Sequence, residues 1–481
     1  MVKIVPPGDV AGILDVLNMR GYEAYAVGGC IRDAVMGREP KDWDIATDAR
    51  PEEVRRLFEK TVDTGIKHGT VTVVIGNRNY EVTTFRIDGI YIDGRHPEKV
   101  EFTSRIEDDL RRRDFTINAM AWNHQKGIID PFGGMRDISA RIIRTVGRPS
   151  DRFGEDALRM LRAIRFAAAL GFEIEPGTLE GIRQNSSLIR RISAERIREE
   201  LTGILVSDDP VKFMLLKDTG LLRHIMPELD LRLGSDRGPS GRGSISEEGE
   251  HILCSVAAVE ADVCLRWAML LHEAEDALET ADIILGRLKF DNRNRSRILQ
   301  IIRYLGMEIK PERSAVARAA IEVGRDVFAD LLKAKRAHIA ASRYCSGSGG
   351  IPDALHRPDR MRNTKGDQNR DTDDLYIATE RHYGEADRNI AEGLHQLEKT
   401  EAVFRLLLEG GSCLSLKGLK INGDDLKRLG FREGAEIGRM LDHLLDRVID
   451  EPELNRKEAL EKLALEYLHK KRISSQQTGE T

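Results

Sequence analysis

The sequence predicts an α+β portion at the N-terminal end followed by a long all-helical one. Three observations predict it. Strand signals are confined to residues 1–148. From Asp151 onward, apolar residues recur at helical spacing and strand signals nearly vanish. Aromatic residues make up only 5% of the chain, with 13 Phe, 9 Tyr and 3 Trp, which leans toward helix. The chain has 481 residues, more than one core usually holds, and at ~150 residues per domain it suggests about three domains.

Within the first portion, Tyr22 to Val27 reads as a short strand ending in Gly28-Gly29. Pro51 to Glu59 reads as a short helix capped by Asp48. Thr70 to Gly76 and Asn79 to Phe85 read as two strands, with a tight turn at Gly76-Asn77-Arg78. Beyond it, helical spacing covers 155–170, 194–206, 210–222, 253–272, 276–289 and 296–305. Residues 232–250 read as a linker rich in Gly, Ser and charge, and 342–374 as a mobile, weakly apolar insertion. Helices are expected again near 376–409 and 423–469, with a disordered tail after Arg472.

Hydrophobic residues are 41% and charged residues 32%. Lys plus Arg total 75 and Asp plus Glu total 80, a net charge of −5. That excludes a uniformly basic coat for nucleic acid but leaves room for a local one. Cys30, Cys254, Cys264, Cys345 and Cys413 are scattered without a CxxC pair, as expected of reduced thiols in a cytoplasmic protein. The first residues show no apolar signal segment, and no run of 18 apolar residues exists, so no membrane span is expected.

Four features of the first portion can carry chemistry. Gly28-Gly29 followed by Arg32 suits a phosphate: the backbone can approach it, a helix start favours it, and Arg32 can hold an oxygen. A plain glycine turn with Arg32 paired to Asp33 fits the same residues. Asp42 and Asp44 lie two apart, so in a strand they face one side, where a divalent cation would relieve their repulsion. An exposed acidic turn is the other reading. Glu81, on a nearby strand, would complete a two-metal site for in-line attack at phosphorus, or simply face solvent. Arg111-Arg112-Arg113, with Asp114 and Asn118, suits phosphate and ribose, unless Glu107, Asp108 and Asp109 neutralise the run.

In order, the segments GGCIRD, KDWDIAT, YEVTTFR, DGRHPEKVEF, EDDLRRRDFTINAMA, DPFGGMRD, EDALRMLRAIRFAAALGF and ISAERIREEL resemble the bacterial-type (class II) tRNA nucleotidyltransferase/poly(A) polymerase family, the CCA-adding enzymes and their relatives. The strong match covers residues 22–230, and a weaker one lies near 413–465. The resemblance implies a nucleotidyltransferase head of mixed sheet with helices (1–148) and a helical neck with a base-recognition helix (149–206). It further implies a helical body (207–340), an insertion (341–375), a helical tail (376–472) and a disordered end (473–481).

It also implies residue roles. Asp42 and Asp44 are similar to the family's metal-binding carboxylates, expected to hold Mg2+, and Glu81 to its third acidic residue. Gly28, Gly29 and Arg32 fall where the triphosphate is bound, and Arg113, Asp114 and Asn118 where ribose and phosphates are handled. Asp130 to Gly134 resembles a flexible joint between head and neck. Glu155, Asp156, Arg159 and Arg162 match the segment that reads the incoming base. Placed on one helix, Glu155, Arg159 and Arg162 form a stripe and Asp156 meets Arg159. A carboxylate accepts from the amino group of cytosine or adenine, and a guanidinium donates to the acceptor beside it; uracil and guanine present the reverse. An ordinary helical salt-bridge ladder is the alternative. The stretch Arg86 to Val100 resembles a loop that accompanies addition of the terminal A.

The expected activity is therefore template-independent addition of CCA to the acceptor end of tRNA, using CTP and ATP and releasing pyrophosphate. The alternatives are a poly(A) polymerase or A-only enzyme, and, from other classes, a phosphohydrolase acting through the downstream helices or an inactive RNA-binding module. Relatives often carry a phosphohydrolase signature downstream; here His251 is followed by His272-Glu273 with no Asp, so both histidines are expected to be helix residues rather than ligands. Arg287, Lys289, Arg293, Arg295 and Arg297, against the single acid Asp291, form a candidate RNA-binding cluster, with Arg190, Arg191, Arg196 and Arg198 a second basic patch. Each is equally readable as a solvated helix face.

Overall fold

A computed structural model describes residues 4–66, 69–89, 100–234, 246–274, 276–345, 385–410 and 413–477. The chain divides into two compact units. The first comprises residues up to Gly249 together with Ile283–Phe290; the second comprises Glu250–Asp282 and the described residues from Asp291 onward.

The first unit opens with α1 (Gly8–Met19), β1 (Ala24–Val27), α2 (Gly29–Val35), β2 (Asp44–Thr47) and α3 (Pro51–Leu57). Next come β3 (Thr61–Gly65), β4 (Thr70–Ile75), β5 (Arg78–Thr84), β6 (Arg86–Asp88), β7 (Val100–Phe102) and α4 (Ile106–Arg111). Then follow β8 (Ala121–Asn123), β9 (Gly127–Ile129), α5 (Gly134–Ala140) and β10 (Ile142–Ile143). Seven strands form one mixed sheet in the order β3-β4-β5-β2-β1-β8-β9, in which β2 and β5 are parallel and the other neighbours antiparallel. The turn between β4 and β5 is tight, since Ile75 pairs with Arg78 and Gly76 takes φ +58. Tyr25, Val27, Ala46, Phe85, Ile106, Leu110, Ala119, Ala121 and Val146 form the core under the sheet.

α3 begins at Pro51 and is capped by Glu53, whose carboxylate accepts from Arg50 N (2.7 Å). Asp48, the expected cap, instead accepts from Glu23 N (2.8 Å) across β1 and β2. The unit continues with α6 (Pro149–Glu155), α7 (Leu158–Leu170), β11 (Glu173–Ile174), α8 (Pro176–Asn185) and α9 (Ala194–Leu205). Short helices α10 (Met214–Asp218), α11 (Leu222–Ile225) and α12 (Pro227–Arg232) complete the sequence up to Gly234. The helix expected over 155–170 is thus two. Asp156 is extended (φ −142, ψ 106) and its carboxylate accepts from Leu158 N (2.9 Å), which starts α7 and ends α6.

The second unit is helical among its described residues. It holds α13 (Glu247–Ala258), α14 (Val263–Leu271), α15 (Ala277–Arg287, shared with the first unit), α16 (Asn292–Tyr304), α17 (Arg313–Val323) and α18 (Arg325–Cys345). It ends with α19 (Glu385–Glu409), α20 (Gly423–Arg428), α21 (Ala435–Asp450) and α22 (Lys457–Gln477). The single helix expected over 253–272 is broken because the Asp262 carboxylate caps a new one, accepting from Cys264 N and Leu265 N. Residues 247–250, assigned to a linker from composition, are helical, and 235–245 lie outside the described residues. α18 runs to Cys345, so only the rest of the expected insertion lies outside them. The last helix reaches Gln477, five residues beyond the expected ordered end; 478–481 are not described. Its core packs α17, α18, α19 and α21 through Val316, Leu331, Phe328, Phe404, Leu407, Met440 and Leu444.

Candidate active site

The carboxylates come together by strand register. Asp44 opens β2 opposite Val27, the last residue of β1, and so stands beside the Gly28-Gly29 turn. Ile45 pairs with Val82 in the parallel ladder, which sets Asp44 level with Glu81 on the same exposed face while Ile45 and Val82 are buried. Asp42 lies just before the strand rather than in it. Asp42, Asp44 and Glu81 line one cavity of about 880 Å³, together with Trp43, Thr64, Thr72, Arg78 and Tyr80. Among the described residues, no hydrogen bond or ion pair within 4.0 Å engages any of the three carboxylates. Protein atoms crowd Asp44 at the cavity wall; the resulting desolvation raises its carboxyl above the ordinary range, partly offset by Arg113 and reinforced by Asp42. Crowded, unpaired carboxylate oxygens suit a hard divalent cation.

The residues expected to face phosphate form a separate, tightly bonded group. Gly28 has φ +80, and a Cβ there would lie 2.7 Å from Arg113 Nη1. Its N–H is already used, donating to the Met120 carbonyl (3.0 Å), so its role is to admit Arg113 rather than to offer a donor. Gly29 begins α2. Arg32 donates to Asn118 Oδ1 (2.8 Å) and also pairs with Asp33 (2.8 Å), so both readings of that arginine hold. Asp109 is buried and binds Arg112 (2.7 Å) and Arg113 (3.3 Å); it, rather than Glu107, neutralises the arginine run, and both cations hold its carboxyl low. Arg113 nonetheless keeps a buried Nε with no hydrogen-bond partner.

Asp114 accepts from Phe115 N (2.8 Å), Asn118 Nδ2 (3.3 Å) and Arg162 Nε (2.9 Å). Burial opposes its charge, but Arg162 and Arg159 outweigh that and lower its carboxyl. The stripe expected to read the base is rearranged by the break after α6. Glu155 pairs with Arg152 and Arg159, while Asp156 pairs with Arg196 of α9 (2.8 Å) and not with Arg159. Arg159 also donates to the Arg112 carbonyl (3.1 Å), tying the segment to the arginine run. Arg152 and Arg196 are the partners that sequence reasoning missed in this role; a helix assumed continuous hid them. The Asp130 carboxylate caps α5 through Gly134 N (2.7 Å) and Met135 N (2.9 Å), so this segment is a bonded turn.

The basic cluster after residue 287 is not a row of free cations. Arg287 pairs with Glu228 and Lys289 with Glu195 in the first unit. Arg295 pairs with Asp282 and Arg297 with Asp330 in the second. Arg293 has no recorded ion pair among the described residues. Acids distant in sequence supply what Asp291 alone does not. His251 and His272, expected as isolated helix residues, lie together with Glu273 and His338. The loop residues 90–99, expected to accompany terminal A addition, lie outside the described residues.

The model of the poly A polymerase head domain matches residues 24–144, and that of the probable RNA- and SrmB-binding site of polymerase A matches 171–233. A crystal structure of the Bacillus stearothermophilus CCA-adding enzyme in complex with CTP is 31% identical, covers 98% of this chain and 100% of its own, and has a TM-score of 0.68. The chain belongs to the tRNA nucleotidyltransferase/poly(A) polymerase family. The curated CCA-adding enzyme of Geobacillus kaustophilus is 51% identical over 222 residues, 46% of this chain and 55% of that protein. That of Geobacillus stearothermophilus is 50% identical over 221 residues. The chain thus matches about half the length of these curated relatives. The Thermotoga maritima CCA-adding enzyme complexed with tRNA, at 21% identity and a TM-score of 0.59, shares the fold. Family members named for CCA addition do not favour the poly(A), A-only or phosphohydrolase readings. No helix among the described residues is long and apolar enough to cross a membrane.

Proposed function

We propose that this family member adds CCA to the acceptor end of tRNA, without a nucleic-acid template, from CTP and then ATP. The observation that carries the reading is the three-carboxylate cavity, set by register beside the glycine turn and an arginine with an unspent buried donor. Supporting it, two relatives at about half identity and one full-length structural neighbour are named CCA-adding enzymes, and that neighbour's structure holds CTP.

In this reading Asp42 and Asp44 would hold Mg2+, with Glu81 beside Asp44. Bound there, Mg2+ would lower the pKa of the RNA 3′ hydroxyl and shield the charge that develops at the α-phosphorus. Arg113 and Arg32 orient the triphosphate, and Gly28 keeps the space Arg113 needs. Asn118 and Asp114 set Arg32 and Arg162. Asp156 and Arg159 present an acceptor and a donor from the joint between α6 and α7; each gives up its present ion-pair partner to bind a base edge. Uracil or guanine would leave those groups unpaired, which costs more than the lost contact. Action on tRNA places the protein in the cytoplasm.

Incubation with tRNA ending before CCA, supplied with CTP alone, ATP alone and both, tests this. Incorporation of two C residues and then one A is expected. No incorporation of C would end the reading.

A further inference from the structure

The second unit carries a cluster with no part in nucleotide transfer. His251 of α13, His272 and Glu273 at the end of α14, and His338 of α18 each bring one donor atom within 4.8 Å of every other. The three imidazole rings have centroids 4.8, 5.1 and 5.7 Å apart.

The tautomers of His272 and His251 are set by backbone carbonyls. His272 Nδ1 lies 2.8 Å from the Met269 carbonyl, so Nδ1–H donates there and Nε2 is bare. His251 Nε2 lies 3.2 Å from the His338 carbonyl, so its proton points outward and Nδ1 is bare. That bare Nδ1 is buried, stands 2.7 Å from Glu273 Oε1, and makes no hydrogen bond to it. A lone pair therefore faces a carboxylate oxygen. His272 Nε2 lies 3.1 Å from His338 Nδ1 and 3.4 Å from the same Glu273 oxygen. One proton can satisfy one of these pairs. With His338 Nδ1 also bare, four acceptors converge, and a cation at their centre satisfies them together.

We infer that His251, His272, Glu273 and His338 bind one zinc-class divalent ion. The chemistry of the donors selects it: imidazole nitrogens with one carboxylate suit a borderline metal rather than Mg2+. Backbone carbonyls that fix the outer ring nitrogens are the usual support of such ligands. Two separations, 3.1 and 3.4 Å, match the edge, roughly 3.3 Å, of a tetrahedron with ligands at about 2.0–2.1 Å; the 2.7 Å pair must open and the longer ones, all within 4.8 Å, must close around the ion. Four protein donors close the coordination, so the ion is structural: it ties α13, α14 and α18 together. This also explains Glu at position 273, which reaches the ion from the residue after His272.

The test uses the full-length protein with Asp42→Ala and Asp44→Ala, which removes the other candidate site. After chelation and dialysis, Zn2+ or Co2+ alone is added. About one ion per chain, a tetrahedral Co2+ visible band, and a melting temperature raised by about 5 °C or more are expected. His338→Gln and Glu273→Gln, with helical circular dichroism retained, should each lower the affinity by about 10-fold or more and erase the shift in melting temperature. No bound ion and no thermal shift would overturn the inference in favour of a protonated histidine cluster. Full stoichiometry in both variants would overturn it by placing the ion elsewhere.

Discussion

Two groups of carboxylates in the first unit meet opposite fates. Asp109, Asp114 and Asp156 each hold an arginine at 2.7–2.8 Å. Asp42, Asp44 and Glu81 line a cavity with no such partner among the described residues. Asp44 of the second group and the Arg113 held by Asp109 of the first both stand beside the same glycine turn. The first neutralises and positions arginines, and so is structural in its ligand-free state. The second retains charge that only a ligand can compensate. The difference separates acids already engaged with arginines from those we propose to hold the metal ion.

Asp44→Ala would sharpen the comparison most. Incorporation of CTP into tRNA should fall by on the order of 10³-fold with an unchanged melting curve, since no protein group loses a partner. Asp114→Ala should do the reverse in kind. It leaves Arg162 with only its longer pair to Glu200 (3.8 Å) and removes the Phe115 and Asn118 bonds, for a loss of about 3 kcal/mol by urea unfolding. Gly28→Ala combines a positive φ with a clash against Arg113, and should cost about 1–3 kcal/mol while raising KM for nucleotide.

The acids also differ in pH response. Asp109 and Asp114 are held low, so the stability they contribute is present above the unfolded-state pKa and is lost as pH falls through their lowered folded values. Asp44 is raised, and its neutral form accumulates sooner. Activity should therefore fail on acidification before the fold does, as incorporation and melting temperature measured across about pH 7 to 3 would show. Fold loss first would break the comparison. Arg295→Ala removes an exposed pair with Asp282 and should change stability by less than about 0.5 kcal/mol, seen as an unmoved urea midpoint.

Much of the site was legible because its signals are local. Strand signals placed Asp44 and Glu81 on neighbouring strands, although the alternation expected to join Asp42 to Asp44 does not apply because Asp42 precedes β2, and Gly28-Gly29 marked a turn, in which Gly28 takes a positive φ. Periodicity could not see the break at Asp156. That residue caps a helix, and a capping carboxylate within an apolar repeat reads as one more polar face. Nor could it see Arg196, 40 residues away, as the partner of Asp156. The basic run around Arg295 looked free because its acids, Glu228, Asp282 and Asp330, come from other helices. His338 gave no signal at all, lying 66 residues from the histidine it meets.

Residue types and short spacings by themselves determined the α+β-then-helical order and nominated residues for chemistry, while the order of the motifs carried the resemblance to the family. Those depend on period, turn preference and donor type, which act over a few residues. Only the tertiary structure decided which charges are spent. Pairing depends on distance in space, and folding gave Asp114, Asp156 and the arginines partners from distant elements while leaving Asp42, Asp44 and Glu81 without one among the described residues.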